Sequence, residues 1–195
     1  RLAPEYKYPA ALNDAFTAYR YLLERGYQPE HITLAGESAG GGLALALALK
    51  IRDEQMPLPA GIACISPWTD LSFSGASYRN NVYRDPSLIR ESLAYSVIAY
   101  AAGHEYEPYV SPAFGDYTGF PPCLFFAGSD EILLSDTKTV HYNLQRAGVS
   151  SELIVEDGMW HVYPLYGMPE GRRALVRMSA FLRSRLGLEP AKPAT

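Results

Sequence analysis

Four short apolar runs punctuate this chain: 31–35 (HITLA), 61–66 (GIACIS), 123–127 (CLFFA) and 152–155 (ELIV). Each is too short and too rich in β-branched or aromatic residues to be a buried helix, so each reads as a strand. Helical segments separate them. Residues 9–26 begin with Pro9 in a first turn, repeat Leu12, Phe16, Tyr19 and Leu23 at helical spacing, and stop at Gly26. Residues 38–53 are Ala/Leu-rich and end in charges, the pattern of a buried helix. Residues 134–147 close at Gly148, and 170–186 run between Pro169 and Gly187. Continuously apolar strands with helices between them predict an α/β fold, a parallel sheet with helices on both faces.

The middle of the chain breaks this rhythm. Residues 68–83 look irregular. Residues 85–102 read as one long helix or a helical pair, with Asp85 as N-cap and Pro86 at the first helical position. Residues 108–122 read as loop, with prolines among aromatics. The span 72–112, about forty residues, is too long for a connector and is expected to hold one crossover helix and a piece of lid.

Composition removes several function classes. The 195 residues suit one domain, expected over 1–188, with a flexible Pro/Ala tail over 189–195. A net charge of −4 has the wrong sign for a protein that binds nucleic acid by neutralising phosphates. The longest greasy stretch, 43–49, falls far short of the roughly 20 residues of a membrane span. Cys64 and Cys123 both lie in apolar runs, which excludes a disulfide scaffold and a Cys-rich zinc site. The chain begins at Arg1 and not at a methionine, so a signal peptide would not be visible in it; the expected location is cytoplasmic.

The sharpest motif is Gly36-Glu37-Ser38-Ala39-Gly40, a G-x-S-x-G pentapeptide between an expected strand and an expected helix. That context describes a nucleophile elbow, in which a sharp turn lifts the serine above the carboxyl edge of the sheet. The N–H groups at the start of the helix, Ala39 first and Gly40 beside it, then face a developing oxyanion. A phosphate loop would need Gly-Lys-Ser/Thr, which is missing. Serine needs a base. His31 begins a strand at the opposite edge, His104 lies in the insertion and His141 in mid-helix. His161 follows the fourth strand, at the edge where Ser38 should be. The base in turn needs a carboxylate. Asp130 directly follows the third strand; Asp70 and Asp136 are rivals, Asp157 reads as a brace for the loop it shares with His161, and Glu131 reads as a helix-start charge. The chain order Ser38, Asp130, His161 is the order of α/β-hydrolases.

These residues bring the chain to a recognisable pattern. It resembles the hormone-sensitive-lipase-like (bacterial family IV) esterases of the α/β-hydrolase fold, from Arg1 to about Leu186. The similar segments are Arg1-Leu2-Ala3-Pro4-Glu5, Tyr8-Pro9-Ala10-Ala11 with Asp14, Gly36 to Gly41, and Ser66-Pro67-Trp68 with Asp70-Leu71. Ser111-Pro112, Gly128 to Leu133, and Gly158-Met159-Trp160-His161-Val162 complete the set. The resemblance implies Ser38 as nucleophile, Asp130 as acid, His161 as base, and cofactor-free, metal-free hydrolysis of short or medium acyl esters.

The same resemblance implies a His-Gly-Gly-Gly-type oxyanion loop ahead of the Arg1 region, and eight strands. This chain has no His-Gly-Gly and four expected strands, so the expectation is the C-terminal portion of such an esterase, weak or inactive by itself. Its first strand would then lie at an open sheet edge, which a second copy in a homodimer or the missing N-terminal half would cover. Trp68, Trp160, Phe73, Tyr78 and Tyr83 are expected to line an apolar substrate pocket or to pack in the core. A second reading is a non-catalytic small-molecule-binding or interaction fragment of the same fold.

Overall fold

The computed structural model describes residues 1–189; apart from Glu189, the tail expected to be flexible lies outside the described residues. Strands β1 (Thr33–Glu37), β2 (Gly61–Ile65), β3 (Cys123–Gly128) and β4 (Ser151–Glu156) form one sheet in the order β1-β2-β3-β4, with every pairing parallel. The registers are tight: Glu37 sits opposite Ile65, Ile65 opposite Phe126, and Gly128 opposite Glu156. The carboxyl ends of all four strands therefore reach one rim.

Among the described residues six α-helices surround the sheet: α1 (Ala10–Glu24), α2 (Ser38–Asp53), a single turn α3 (Ser77–Asn80), α4 (Arg90–Tyr100), α5 (Leu134–Arg146) and α6 (Pro169–Arg185). Alternate strand residues decide the layers, because side chains of a strand alternate between faces. Ile62, Cys64, Cys123 and Phe125 pack against Leu45 and Leu49 of α2 and Val140 and Leu144 of α5. Ile65, Leu124 and Phe126 turn to the opposite face and meet Ala174 of α6 and Tyr163. Helix α1 adds a further layer, laying Leu12 and Tyr19, two turns apart, on Ala46, Leu47 and Ile51 of α2. The buried Tyr19 hydroxyl donates to the carbonyl of Pro57 at 2.7 Å, so its polar end does not oppose that burial.

Two boundaries differ from the sequence reading for local reasons. Residues 29–31 form a 3-10 turn closed by Ile32 N–H donating to Pro29 O, so β1 starts at Thr33 and not at residue 31. Helix α4 starts at Arg90 because Asp85 caps a turn: its Oδ1 accepts from the N–H and hydroxyl of Ser87 and from Leu88 N–H. Its Oδ2 accepts from Ile132 N–H at 2.9 Å, tying the 72–112 segment to the loop after β3. No helix among the described residues is long and apolar enough to cross a membrane.

Candidate active site

The chain runs from β1 straight into α2 through Ser38, whose φ of +50° is left-handed backbone that non-glycine residues seldom adopt. Close packing enforces that turn. A Cβ on Gly36 would stand 2.3 Å from the carbonyl oxygen of Gly40, so only glycine lets strand and helix meet at this angle. The serine is thereby presented above the rim, half-buried, with Ala39 and Gly40 exposed beside it in the first turn of α2. N–H groups there have no acceptor within the helix.

The other three strands deliver their residues to the same rim. His161 follows β4, and its Nε2 lies 3.0 Å from Ser38 Oγ, within proton-transfer distance. The imidazole is 4% exposed, and burial lowers its pKa to about 4, a drop that the charge of Asp85 opposes. It is therefore neutral at pH 7 and able to take a proton on Nε2. Its Nδ1 is buried with no hydrogen-bond partner.

The structure does not bring Asp130 to that imidazole. Its carboxylate turns outward, paired with Arg84 at 2.5 Å and accepting from the Ser129 hydroxyl at 3.1 Å. Asp130 N–H donates to Met159 O at 2.9 Å, which ties the turn after β3 to the loop that carries His161. Glu131, read from sequence as a helix-start charge, is fully buried. Its Oε2 accepts from the Ser66 hydroxyl at 2.6 Å and from Gly128 N–H at 3.0 Å, while Oε1 is buried and unpartnered. Desolvation raises its pKa to about 8 against those two hydrogen bonds, and the neighbouring charge of Asp85 adds to the rise. Ser66, at the end of β2 with φ +46°, also accepts from Val162 N–H at 3.0 Å, and Val162 is itself left-handed at φ +52°. The signal missed in the sequence was positional. Asp130 and Glu131 are adjacent, and nothing in the spacing reveals which one the turn points inward.

The rival carboxylates, His104 and His141 have other partners. Asp70 accepts from the N–H and hydroxyl groups of Ser72 and Ser74. Asp136 is buried and accepts from Thr69 N–H, Asp70 N–H and the Tyr78 hydroxyl. Asp157 accepts from the Ser129 hydroxyl at 3.3 Å. His104 pairs with Glu107 and His141 with the Ser151 hydroxyl. His31 is exposed in the turn before β1.

An apolar cavity of about 460 Å³ lies beside the elbow, lined by Ala39, Gly40, Leu43, Trp68, Tyr100 and Val110 among others; Ser38, His161 and Trp160 are not in its wall. Trp160 instead packs edge-on against Tyr166. Phe73 joins Trp68 and Tyr78 in an aromatic stack within the core, whereas Tyr83 is almost fully solvent-exposed. Of the expected pocket aromatics, Trp68 alone lines this cavity.

A family model described as alpha/beta hydrolase fold matches residues 1–165. The chain belongs to that family. Among its relatives are an acetyl-hydrolase of Streptomyces hygroscopicus, 43% identical over 96% of this chain and 64% of the relative. An esterase of Acinetobacter venetianus is 35% identical over 94% of this chain and 62% of its own length. Among solved hydrolases of this fold, an esterase from the bacterial hormone-sensitive lipase family superposes with a TM-score of 0.93. It is 40% identical and covers 96% of this chain and 64% of that one. The crystal structure of EstE5 soaked with p-nitrophenyl butyrate superposes with a TM-score of 0.92 at 38% identity, with the same coverage. The chain thus spans just under two thirds of the length of these hydrolases.

Proposed function

We propose that this chain carries the nucleophile and base of a serine carboxylesterase for short- to medium-chain acyl esters. The observation that supports it is the 3.0 Å contact between Ser38 Oγ and His161 Nε2 at a strained strand-to-helix turn. Two relatives, an acetyl-hydrolase and an esterase, point the same way.

The chemistry follows from the geometry. Ser38 Oγ attacks the ester carbonyl and passes its proton to His161 Nε2, which burial keeps unprotonated at neutral pH. Negative charge gathers on the carbonyl oxygen, where the N–H of Ala39 and the unpaired end of α2 stabilise it. Imidazolium then protonates the leaving alkoxide, and water repeats both steps on the acyl-serine. Ala39 is one donor, and loss of a second oxyanion donor costs about 10² to 10³ in turnover. The reading therefore includes weak hydrolysis by this chain on its own. It also includes a partner: among the described residues β1 pairs with β2 alone, and Ala35 and Glu37 are exposed. A second copy of the chain, or a preceding segment of a longer protein, would cover that edge.

The test is covalent labelling with a fluorophosphonate probe, with p-nitrophenyl butyrate hydrolysis as the second readout. Labelling should fall on Ser38 and vanish in Ser38→Ala. Labelling elsewhere, or labelling that survives Ser38→Ala, refutes the proposal. The apolar cavity beside Ala39 favours one other reading, a small-molecule-binding module without catalysis. A folded chain that the probe never labels would support it.

A further inference from the structure

We infer that Asn81 and Asp85 are positioning residues for the turn of residues 129–132, which carries Asp130, and through that turn for His161. Asp85 also lends its negative charge to the imidazolium that forms when Ser38 gives up its proton. Both roles rest on the esterase reading for what His161 does; the bonds that hold the turn do not.

The inserted segment grips this turn residue by residue. Asn81 Nδ2 donates to Ser129 O at 3.1 Å and to Glu131 O at 2.9 Å, one bond on each side of Asp130. Arg84 meets the Asp130 carboxylate itself. Asp85 Oδ2 accepts from Ile132 N–H at 2.9 Å, and Ser77 Oγ donates to Ile132 O at 2.6 Å. Asn81 and Asp85 are both buried, and Asp85 N–H donates to Asn81 O at 3.0 Å, so the two side chains leave one closed turn of backbone. Two carbonyl acceptors require a donor at position 81, which an amide supplies and a carboxylate does not.

The gripped turn bears on the base. Ser129 N–H donates to Glu156 O and Asp130 N–H to Met159 O, both at 2.9 Å, and Gly158 N–H donates to Ser129 Oγ at 2.8 Å. Three bonds thus join the turn to the segment that ends in His161. A Cβ on Gly128 would stand 2.1 Å from Met159 O, so there is no slack between the two. The turn is bonded to the inserted segment on one side and to the His161 loop on the other. Releasing the first lets the second shift.

Asp85 does more than cap. Asparagine caps about as well as aspartate, and burying a carboxylate is costly. Oδ1 alone serves the local turn, through Ser87 and Leu88. Oδ2 and the charge serve the site. The charged and titratable groups on the segments around His161 are Glu37, Arg84, Asp85, Asp130, Glu131 and Asp157. The charge of Asp85 is the one that raises the imidazole pKa against burial. A charge that favours imidazolium stabilises the state in which Nε2 has taken the serine proton, and no proton passes to Asp85.

The test uses the whole chain and a fluorophosphonate probe, with the limiting rate at Ser38 and the half-saturating probe concentration read separately. Asp85→Asn and Asn81→Leu should each lower the limiting rate by up to about 10², the cost of a misplacement of about 1 Å, and leave the half-saturating concentration unchanged. The pH profile separates the two residues. Labelling should fall in acid as His161 takes a proton. In Asp85→Asn that acid limb should move to lower pH; in Asn81→Leu it should stay. Asp85→Glu keeps the charge but not the reach, so it should lose rate with the limb in place. Asn81→Ser stands in if Asn81→Leu does not fold, and Asp85→Glu is read alone if Asp85→Asn does not. Folded variants with the wild-type limiting rate, a loss carried by the half-saturating concentration, or an unmoved limb in Asp85→Asn overturn the inference. If the probe never labels the wild-type chain, the esterase reading fails, and amide exchange decides the rest. Faster exchange at Ile132 and Asp130 in the variants would leave the hold on the turn standing, and unchanged exchange would sink it too.

Discussion

Replacing Gly128 by alanine tests whether close backbone packing sets the Ser38–His161 distance. The added methyl would lie 2.1 Å from the carbonyl oxygen of Met159, 2.4 Å from its carbon and 2.7 Å from Trp160 N. All three are backbone atoms and cannot rotate away. An ordinary contact between carbon and oxygen needs about 3.3 Å or more, so the Met159–Trp160 segment must retreat by roughly 1 Å. His161 is next in the chain. A retreat of that size takes Nε2 from 3.0 Å to about 4 Å from Ser38 Oγ, beyond hydrogen-bonding reach. A misplacement of about 1 Å costs on the order of 10² in rate, and overpacking of this kind costs about 1–3 kcal/mol in stability. The assay is the second-order rate of fluorophosphonate labelling at Ser38, with thermal melting in parallel. Gly40→Ala calibrates the melt: its methyl meets nothing within 4 Å, and in α2 it should stabilise by up to about 1 kcal/mol through helix propensity. Wild-type labelling and an unchanged melting temperature in Gly128→Ala would refute the packing account.

Asp136 gives a pH-dependent expectation. Desolvation raises its pKa well above the ordinary carboxylate value despite bonds from Thr69, Asp70 and Tyr78. The folded state thus holds a proton that the unfolded chain releases near pH 4, so stability declines as pH rises from about 4 toward the folded pKa. Asp136→Asn should flatten the decline, by at most about 1.4 kcal/mol per pH unit, in urea melts between pH 4 and 8; equal slopes in both proteins would contradict it. The open edge of β1 predicts concentration-dependent association. Sedimentation velocity should show a dimer that a lysine at Ala35 weakens, and a monomer at high concentration would count against a second copy at that edge.

The sheet was legible because parallel strands buried on both faces carry an unmistakable apolar signature, as in 61–65 and 123–127. Ser38 was legible because its turn demands glycine at 36, where a Cβ would strike Gly40. His161 followed from its place after the last strand. The burial of Glu131 was not legible: its carboxylate is held by the Ser66 hydroxyl, 65 residues away, and by Gly128 N–H, bonds that the sequence does not announce. The start of α4 was misplaced for a similar reason. Asp85 does cap a turn, but it also reaches Ile132 N–H, a bond that no local pattern announces. Tertiary bonds of this kind override the capping rule that the dipeptide Asp85-Pro86 suggests.

Ser38, Ser66, Glu131 and His161 each follow a different strand, and that arrangement has a cost during biosynthesis. No shorter stretch of polypeptide carries a usable part of the constellation. It comes into being only when the last-made strand, β4, docks against β3 in its correct alignment. A slip of one residue in any of the three pairings would turn a contributing side chain to the wrong side. The contact between Ser38 and His161 is thus conditional on all four strands being in register, and it cannot form in a nascent chain until the residues through His161 have emerged from the ribosome.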